Sequence, residues 1–162
     1  MGGGVLHICL SKGRGGLELY PSRLVEPLDA LGWRVYGACL TEAYAGERME
    51  QKGAEVIRFA SRTSALFNVV KLKRFIRSRG ISIVHCHKSS DLRVVALLKV
   101  LVPHLRIFFT EHMGVKKPKK DLYHRWAYQK VERVFSISDR ALRWNQNALP
   151  VDRAKFTRLY TG

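Results

Sequence analysis

Histidines stand at the ends of two apolar runs of the sequence. His85 lies near the end of the run 81–86, His87 follows that run, and His112 follows the run 106–110. An imidazole changes its protonation state near neutral pH, so it can transfer a proton or orient a hydroxyl group. We interpret His85 as a strand histidine satisfied by a local hydrogen bond. His87 lies where a polar substrate could be contacted, and His112 is the candidate catalytic residue.

Other interpretations of these histidines stay open. A His-x-His spacing can indicate a metal site, but no Cys, Asp or Glu follows His87 at ligand spacing, so we expect no metal. Glu111 could set the tautomer of His112, although adjacent strand residues point to opposite faces of a sheet. A loop histidine without function is the alternative for His112.

A glycine-rich segment, 13–16, follows the first apolar run. Backbone N–H groups in such a turn can approach a phosphate at the positive end of a helix. Glu18 stands where a dinucleotide-binding fingerprint requires glycine, and no P-loop pattern occurs. A tight turn that needs positive φ angles explains the same glycines, so both interpretations stay open.

Ser136 and Ser138 end another apolar run, 132–137. Ser138 is a good N-cap for a following helix, and capping explains this segment without any ligand. Taken alone, the segment therefore favours a structural role. Taken with the histidines and the glycines, it is a fourth polar segment at a strand end.

The elements that must position these residues alternate along the chain. Short β-branched runs alternate with helical patterns, which predicts an α/β domain: a Rossmann-like, three-layer α/β/α fold with a mostly parallel sheet of about six to seven strands. Strands are predicted at 5–10, 33–40, 54–59, 81–86, 106–110, 132–137 and 155–160, and the longer helices at 17–31, 64–79, 90–102 and 121–130. The four polar segments then share the edge where such sheets bind ligands.

Composition limits the class of protein. The 162 residues fit one domain, 1–162, and 29 Lys and Arg against 13 Asp and Glu give a net charge of +16. Such charge attracts polyanions, although no helix-turn-helix, RNP, KH or zinc-finger signature favours nucleic acid. Three cysteines without CxxC spacing (Cys9, Cys39 and Cys86) are expected to be reduced core thiols, and with no visible secretory signal or membrane span we expect a cytoplasmic protein.

The ordered set of motifs resembles the N-terminal domain of glycosyltransferase family 4. The matching segments are 15–18, 83–87, 109–112, 134–138 and 159–162, in the right order over nearly the whole chain. The resemblance implies the acceptor-binding half of a GT-B fold, in a retaining enzyme that uses a nucleotide sugar and needs no metal. The more specific resemblance to enzymes that build the lipopolysaccharide core or similar surface glycans is weaker.

The resemblance also implies roles for single residues. Gly15 and Gly16 would approach the donor diphosphate, and His112 would lie near the sugar being transferred. Glu18, His87, Lys88 and Ser136 would belong to the acceptor side. The family's second, donor-binding half has no counterpart in this sequence, so the chain alone is expected to be inactive.

Basic residues concentrate in two segments, 71–79 and 116–130. In the second, aromatic residues lie among Lys and Arg, which suits an anionic membrane surface; the residues are Lys116, Lys117, Lys119, Lys120, Arg125 and Trp126. A solvated basic face with its aromatic residues in the core is the alternative. A non-catalytic module that binds polyanions or nucleic acid is the alternative function.

Overall fold

The computed structural model describes residues 2–159 and contains a seven-stranded, all-parallel sheet. The strands are β1 Gly4–Cys9, β2 Arg34–Leu40, β3 Glu55–Phe59, β4 Ile81–Cys86, β5 Arg106–Glu111, β6 Arg133–Ser136 and β7 Phe156–Arg158. Their order across the sheet is β3-β2-β1-β4-β5-β6-β7. The predicted Rossmann-like fold is therefore confirmed.

Helices connect the strands and cover both faces of the sheet. They are α1 Gly16–Ala30, α2 Tyr44–Gln51, α3 Arg62–Phe67, α4 Val69–Ser78, α5 Leu92–Leu101, α6 Leu122–Gln129 and α7 Asp139–Ala148. Short 3-10 turns at Ser89–Asp91 and Arg153–Lys155 precede α5 and β7. None of the helices within residues 2–159 combines the length and apolarity needed to cross a bilayer.

The strand order reverses direction next to β1. The chain runs outward from β1 to β2 and β3, and then returns to place β4 on the other side of β1. Loops after β1 and β4 therefore diverge to opposite faces of the sheet and leave a crevice between them. Open α/β sheets bind ligands at this position, outside the carboxyl ends of the strands.

One predicted helix is two helices in the structure. The pattern over 64–79 predicts a continuous helix, but the chain leaves helical geometry at Asn68, whose φ and ψ are −104° and 27°. The Asn68 side-chain amide donates a hydrogen bond to the carbonyl oxygen of Ser64, and Ser61 caps the start of α3. Asparagine competes with helical hydrogen bonding in this way, and the apolar spacing alone does not show it.

The final strand is shorter than predicted within the described residues. The sequence predicts a strand over 155–160, and β7 covers Phe156–Arg158. The part of the family resemblance that falls on residues 160–162 lies outside the described chain. Ser138 caps α7 by accepting a hydrogen bond from the Ala141 N–H group, as the capping interpretation predicts.

The two faces of the sheet are packed differently. The larger apolar cluster includes Leu6, Ile8 and Val84 on the face that α4 and α5 cover, whereas a smaller cluster around Cys9 and Val25 lies under α1 and α2. All three cysteines are buried and free, which confirms the expected core thiols. On the α1 face, histidines occupy part of the space between sheet and helix.

Candidate functional site

Glu18 organises the glycine-rich loop at the start of α1. Its Oε1 accepts a hydrogen bond from the Ser11 hydroxyl at 2.7 Å, and its Oε2 accepts one from the Gly15 N–H at 2.9 Å. Burial alone would raise the pKa of Glu18, but these hydrogen bonds outweigh it, and the pKa lies below its usual value. Both carboxylate oxygens are thus engaged in shaping the loop.

The loop does not use the positive φ angles that the turn interpretation requires. Among the described residues, positive φ occurs at Gly32, Gly53, Gly80 and Glu42, and not at the glycines of 13–16. A β carbon on Gly13 would instead lie 2.5 Å from Glu18 Oε1, whereas one on Gly16 would have no atom within 4 Å. The turn interpretation is therefore wrong: Gly13 is needed for the close approach of Glu18, and Gly16 leaves open space at the helix start.

Three buried histidines lie together on the α1 face of the sheet. His7 of β1 pairs in register with His85 of β4, and His87 follows two residues later on the same side. The ring centroids are 5.3 Å apart for His7 and His85 and 4.1 Å apart for His85 and His87. The sequence interpretation passed over His7, although a histidine within a run as apolar as 5–10 is itself a signal.

A line of hydrogen bonds connects this cluster to His112. His7 Nδ1 lies 2.9 Å from His87 Nε2, and His87 Nδ1 lies 3.3 Å from His112 Nε2. Each such contact needs one donor and one acceptor nitrogen, so the tautomers of the three rings are linked in neutral form. The edge of the Tyr20 ring packs on both His87 and His112, with centroids 5.6 Å and 5.1 Å away.

Burial keeps these imidazoles neutral. It lowers the pKa of His7 and of His112 to about 4 and lowers the pKa of His85 and His87 well below the usual value, with neighbouring histidines adding to the effect for the latter two. His112 therefore offers a neutral ring at pH 7. Such a ring can donate or accept a hydrogen bond at its remaining nitrogen, Nδ1.

The ring nitrogens of His7, His85 and His87 lie within 4.8 Å of one another, close enough to consider a metal ion. Two pairings already use them, however: His7 Nδ1 with His87 Nε2, and His85 Nε2 with Thr110 Oγ1 at 2.6 Å. His7 Nε2 is buried without a partner in the described residues. Hydrogen bonds satisfy most of the cluster without an ion, and the metal-free interpretation stays a prediction.

A cavity of about 520 Å³ opens between the glycine-rich loop and His112. We call it the histidine cavity, and it is lined by Gly15, Gly16, Leu17, Glu18, Tyr20, Arg23, Lys88, His112, Met113 and Ile137. The structure thus brings together five of the residues singled out from the sequence, from the ends of three strands. Gly15, Gly16, Glu18, Lys88 and His112 share one space.

Two sequence-derived assignments need correction. His87 is 1% exposed beneath His112, and Ser136 is fully buried and accepts a hydrogen bond from the Asn145 side chain at 3.0 Å. Neither side chain is among those that line the histidine cavity, so a direct contact with a ligand in this cavity is not open to them. Strand alternation and the packing of α7 on β6 turn them inward.

Glu111 is also separate from His112. Its Oε1 accepts a hydrogen bond from the Met113 N–H, and burial raises its pKa to about 7. No hydrogen bond joins it to His112 within residues 2–159. The idea that Glu111 sets the tautomer of His112 is wrong, and His87 is the residue bonded to that ring.

A second cavity, of about 490 Å³, opens at the same sheet edge between α3 and α6. We call it the arginine cavity, and its polar lining is Arg62, Thr63, Ser89, Ser90, Arg93, Lys119, Tyr123 and His124. Arg62 is held by Asp91, a fully buried carboxylate that also accepts a hydrogen bond from the Leu10 N–H. Burial raises the pKa of Asp91, and the bond from Arg62 opposes that rise.

The predicted basic segment is divided between surface and core. Lys116, Lys117, Lys120 and Arg125 are exposed, and Trp126 keeps 38% of its surface accessible, whereas Tyr128 is buried. Lys119 turns toward the arginine cavity. The aromatic residues of this segment are therefore neither all in the core nor all at the surface.

Comparisons with known proteins agree on the fold. Residues 14–162 match the sequence model of glycosyltransferase family 4. No match was found among curated protein sequences. Similar solved structures include HepE of Anabaena in complex with UDP and glucose, with a TM-score of 0.76 and 15% identity, covering 98% of this chain and 44% of HepE.

Two further solved structures are a glycosyltransferase from Rickettsia africae and the lipopolysaccharide outer core galactosyltransferase WaaB in its apo form. The first has a TM-score of 0.79 and 14% identity over 98% of this chain and 43% of its own. The second has a TM-score of 0.70 and 12% identity over 97% of this chain and 45% of its own. This chain thus spans less than half the length of these proteins, and the match of the family model shows that it belongs to glycosyltransferase family 4.

Proposed function

We propose that the chain is the N-terminal, acceptor-side domain of a retaining glycosyltransferase. The enzyme would transfer a hexose from a nucleotide sugar to a glycan or glycolipid. The observation that carries this proposal is the histidine cavity, in which the loop of Gly15 and Gly16, Lys88 and His112 meet at the crevice of the sheet. Family membership supports the class of reaction.

Each residue of the cavity has a proposed role that its chemistry permits. Gly16 leaves space at the start of α1 for a diphosphate to approach the backbone N–H groups, which suit an anion. His112 offers Nδ1 to a hydroxyl group of the sugar being transferred. Lys88 faces the cavity as a cation for the acceptor, and Glu18 acts through the loop that it shapes.

The nucleotide sugar requires residues outside this chain. HepE, which is more than twice as long, is described in complex with UDP and glucose. We propose that a donor-binding half, in cis or in trans, completes the cleft here as well. The two halves would bring the donor and the acceptor into reacting position, so one half alone supplies little of the rate enhancement.

The acceptor is proposed to lie at a membrane. The Lys130 Nζ lies 5.6 Å from the centroid of the half-exposed Trp126 ring, and four further cations of the segment 116–130 are exposed. Such a surface is attracted to anionic headgroups at the inner face of the cytoplasmic membrane. The likeness to WaaB is compatible with a lipopolysaccharide acceptor. We expect tighter binding to anionic than to neutral vesicles, weakened by salt; equal binding to both would contradict this.

The test uses the protein as its source cells make it. Its intact mass is measured first, and it is then assayed for transfer from a panel of nucleotide sugars into glycolipid extracts, beside the 162-residue chain. We expect transfer by a longer native protein and none by the short chain. Turnover by the short chain would contradict the division into halves, and no transfer with any donor would contradict the proposed reaction.

A further inference from the structure

The arginine cavity has the composition of an anion site. Arg62, Arg93 and Lys119 supply three permanent cations, and Ser89 and Ser90 add hydroxyl groups. No Asp or Glu is among its lining residues, although Asp91 lies directly behind Arg62. Asp91 pairs with Arg62 from behind, whereas no ion pair of Arg93 or Lys119 is found within residues 2–159. The charge of these two residues therefore creates a positive potential that a solvent-exposed cavity focuses on its ligand.

Two of the three cations are held in place before any ligand arrives. The Arg62 Nε donates to Asp91 Oδ1 at 2.7 Å and its Nη2 donates to the Leu10 carbonyl oxygen at 2.9 Å. These bonds fix the plane of the guanidinium group and leave Nη1 for another partner. The Arg93 guanidinium lies over the Tyr123 ring, 5.5 Å from its centroid. A fixed guanidinium loses less freedom on binding, and its geometry matches phosphate oxygens.

Lys119 and the two serines lie on segments whose backbone is held in place. The Lys119 N–H donates to the Ala148 carbonyl oxygen at 2.8 Å, which ties the loop between β5 and α6 to the end of α7. Ser89 and Ser90 begin the 3-10 turn that continues into α5, so the positive end of that ten-residue helix adds to the field. Four separate segments of the chain therefore converge on one space.

Two exposed, large apolar residues are neighbours in sequence of residues that line the cavity. Phe67 follows the lining residue Leu66 at the end of α3, and Leu122 precedes the lining residue Tyr123 at the start of α6. Phe67 is 82% exposed and Leu122 is 84% exposed, the two highest values among the large apolar side chains described. A free phosphate or a soluble sugar phosphate would gain nothing from such neighbours, whereas a phosphate that carries acyl chains would.

We propose that the arginine cavity binds the phosphate group of a membrane lipid, with Phe67 and Leu122 entering the interface beside it. This proposal extends the proposed function and rests on it, because it takes the acceptor to be a glycolipid. The cavity lies at the same sheet edge as the histidine cavity, so a lipid held there lies on the acceptor side of the crevice. The site is distinct from the exposed Lys116, Lys117 and Lys120, which act through charge alone.

The test measures binding of the purified protein to vesicles matched in surface charge. Phosphatidylcholine vesicles carry either phosphatidic acid, whose phosphate is accessible, or oleate, whose charge is a carboxylate. We expect tighter binding to phosphatidic acid. The affinity of the double variant Arg93→Gln/Lys119→Gln for the phosphatidic acid vesicles should be lower by about tenfold or more and should equal its affinity for the oleate vesicles. Equal binding of the unaltered protein to both vesicles would overturn the proposal.

A matched control removes the same charge elsewhere. Arg143→Gln/Arg153→Gln also loses two exposed cations, and both lie outside the cavity. It should keep the preference for phosphatidic acid, with circular dichroism confirming that both double variants fold. If the two double variants lose binding equally, the cavity is not the site.

Two further measurements distinguish a lipid phosphate from free inorganic phosphate as the ligand. Inorganic phosphate, followed by amide NMR shifts at Ser89, Ser90 and Lys119, should bind more weakly than short-chain phosphatidic acid below its micelle concentration. The variant Phe67→Ser/Leu122→Ser should weaken vesicle binding and leave the inorganic phosphate shifts unchanged. Inorganic phosphate binding as tightly as the lipid would overturn the lipid assignment. Because no arm requires sugar transfer, a failed transfer assay leaves these results standing.

Discussion

The two cavities lie at one edge of one sheet, and they are built from opposite kinds of side chain. The histidine cavity rests on buried, neutral imidazoles that are bonded to one another. The arginine cavity rests on permanent cations, one of which is tied to a buried carboxylate. A neutral cluster can exchange protons and hydrogen bonds with a reacting group, whereas permanent charge can only hold an anion.

The two proposals divide one sheet edge between the chemistry of transfer and the anchoring of a lipid. The face under α1 keeps a smaller apolar core and contains the histidines, and the face under α4 and α5 has the larger core. Arg62 and Arg93 lie on α3 and α5, whose apolar residues belong to the larger core. Changes of pH and of charge should therefore affect the two cavities differently.

The largest loss of stability is expected when the carboxylate that holds Arg62 at the arginine cavity is removed. Asp91→Ala leaves Arg62 without its carboxylate and the Leu10 N–H without its acceptor. A buried N–H group without an acceptor costs about 1–3 kcal/mol of unfolding free energy, and the lost pairing of the partly exposed Arg62 adds to it, so we expect a total of about 3 kcal/mol or more. Urea denaturation of Asp91→Ala beside the exposed Asp29→Ala, expected to change by less than about 0.5 kcal/mol, measures it. Equal effects would mean that Asp91 does not hold the frame.

The next prediction concerns pH and the histidine cluster. The folded pKa of His7 is about 4 against 6.5 for an unperturbed imidazole, so the unfolded chain binds the proton more readily. Stability from His7 is therefore complete above pH 6.5 and is lost as the pH falls toward 4. At ~1.4 kcal/mol per pKa unit, the loss is on the order of 3 kcal/mol.

The variant His7→Phe isolates this contribution. Its unfolding free energy should fall less between pH 7 and pH 4 than that of the unaltered protein, since one depressed titration is gone. The variant His104→Phe serves as the control, because His104 is exposed and lies outside the cluster. Parallel pH profiles for His7→Phe and the unaltered protein would show that the buried cluster does not titrate as described.

The smallest effects are expected in the glycine-rich loop. Gly13→Ala forces the Glu18 carboxylate away from Ser11 and the Gly15 N–H, which should cost about 1–2 kcal/mol. Gly16→Ala meets no atom within 4 Å and should be neutral or slightly stabilising in a helix. Thermal unfolding of the two variants tests the pair. A loss at Gly16 as large as at Gly13 would contradict the role given to Glu18.

Much of the fold could be predicted from the sequence because its signals are local. The run 81–86 is the strand β4 without a change of boundary, and Ser138 is the cap that its position indicates. The break at Asn68 is less visible, since it depends on one side-chain hydrogen bond inside a regular apolar pattern. Local signals therefore fix the elements better than their interruptions.

The site was less predictable because it depends on neighbours distant in sequence. His7 joins His87 across 80 positions, and Arg62 reaches the Leu10 carbonyl across 52. The first contact requires β4 to lie beside β1, and the second requires the chain after β3 to return across β1, which no local pattern states. The burial of Ser136 likewise depends on Asn145 of the following helix. The sequence placed Gly15, Lys88 and His112 at a common edge, and the strand order decided what lies beneath them.

We propose that His112 serves sugar transfer from the histidine cavity. The most direct test compares His112→Ala with His104→Ala in the protein as its source cells make it, using initial rates of transfer from the nucleotide sugar that it accepts. Loss of a hydrogen bond made in the transition state predicts a rate about 100-fold lower for His112→Ala, with unchanged folding by circular dichroism. His104→Ala should transfer at the unaltered rate. Equal rates for the two variants would contradict the claim.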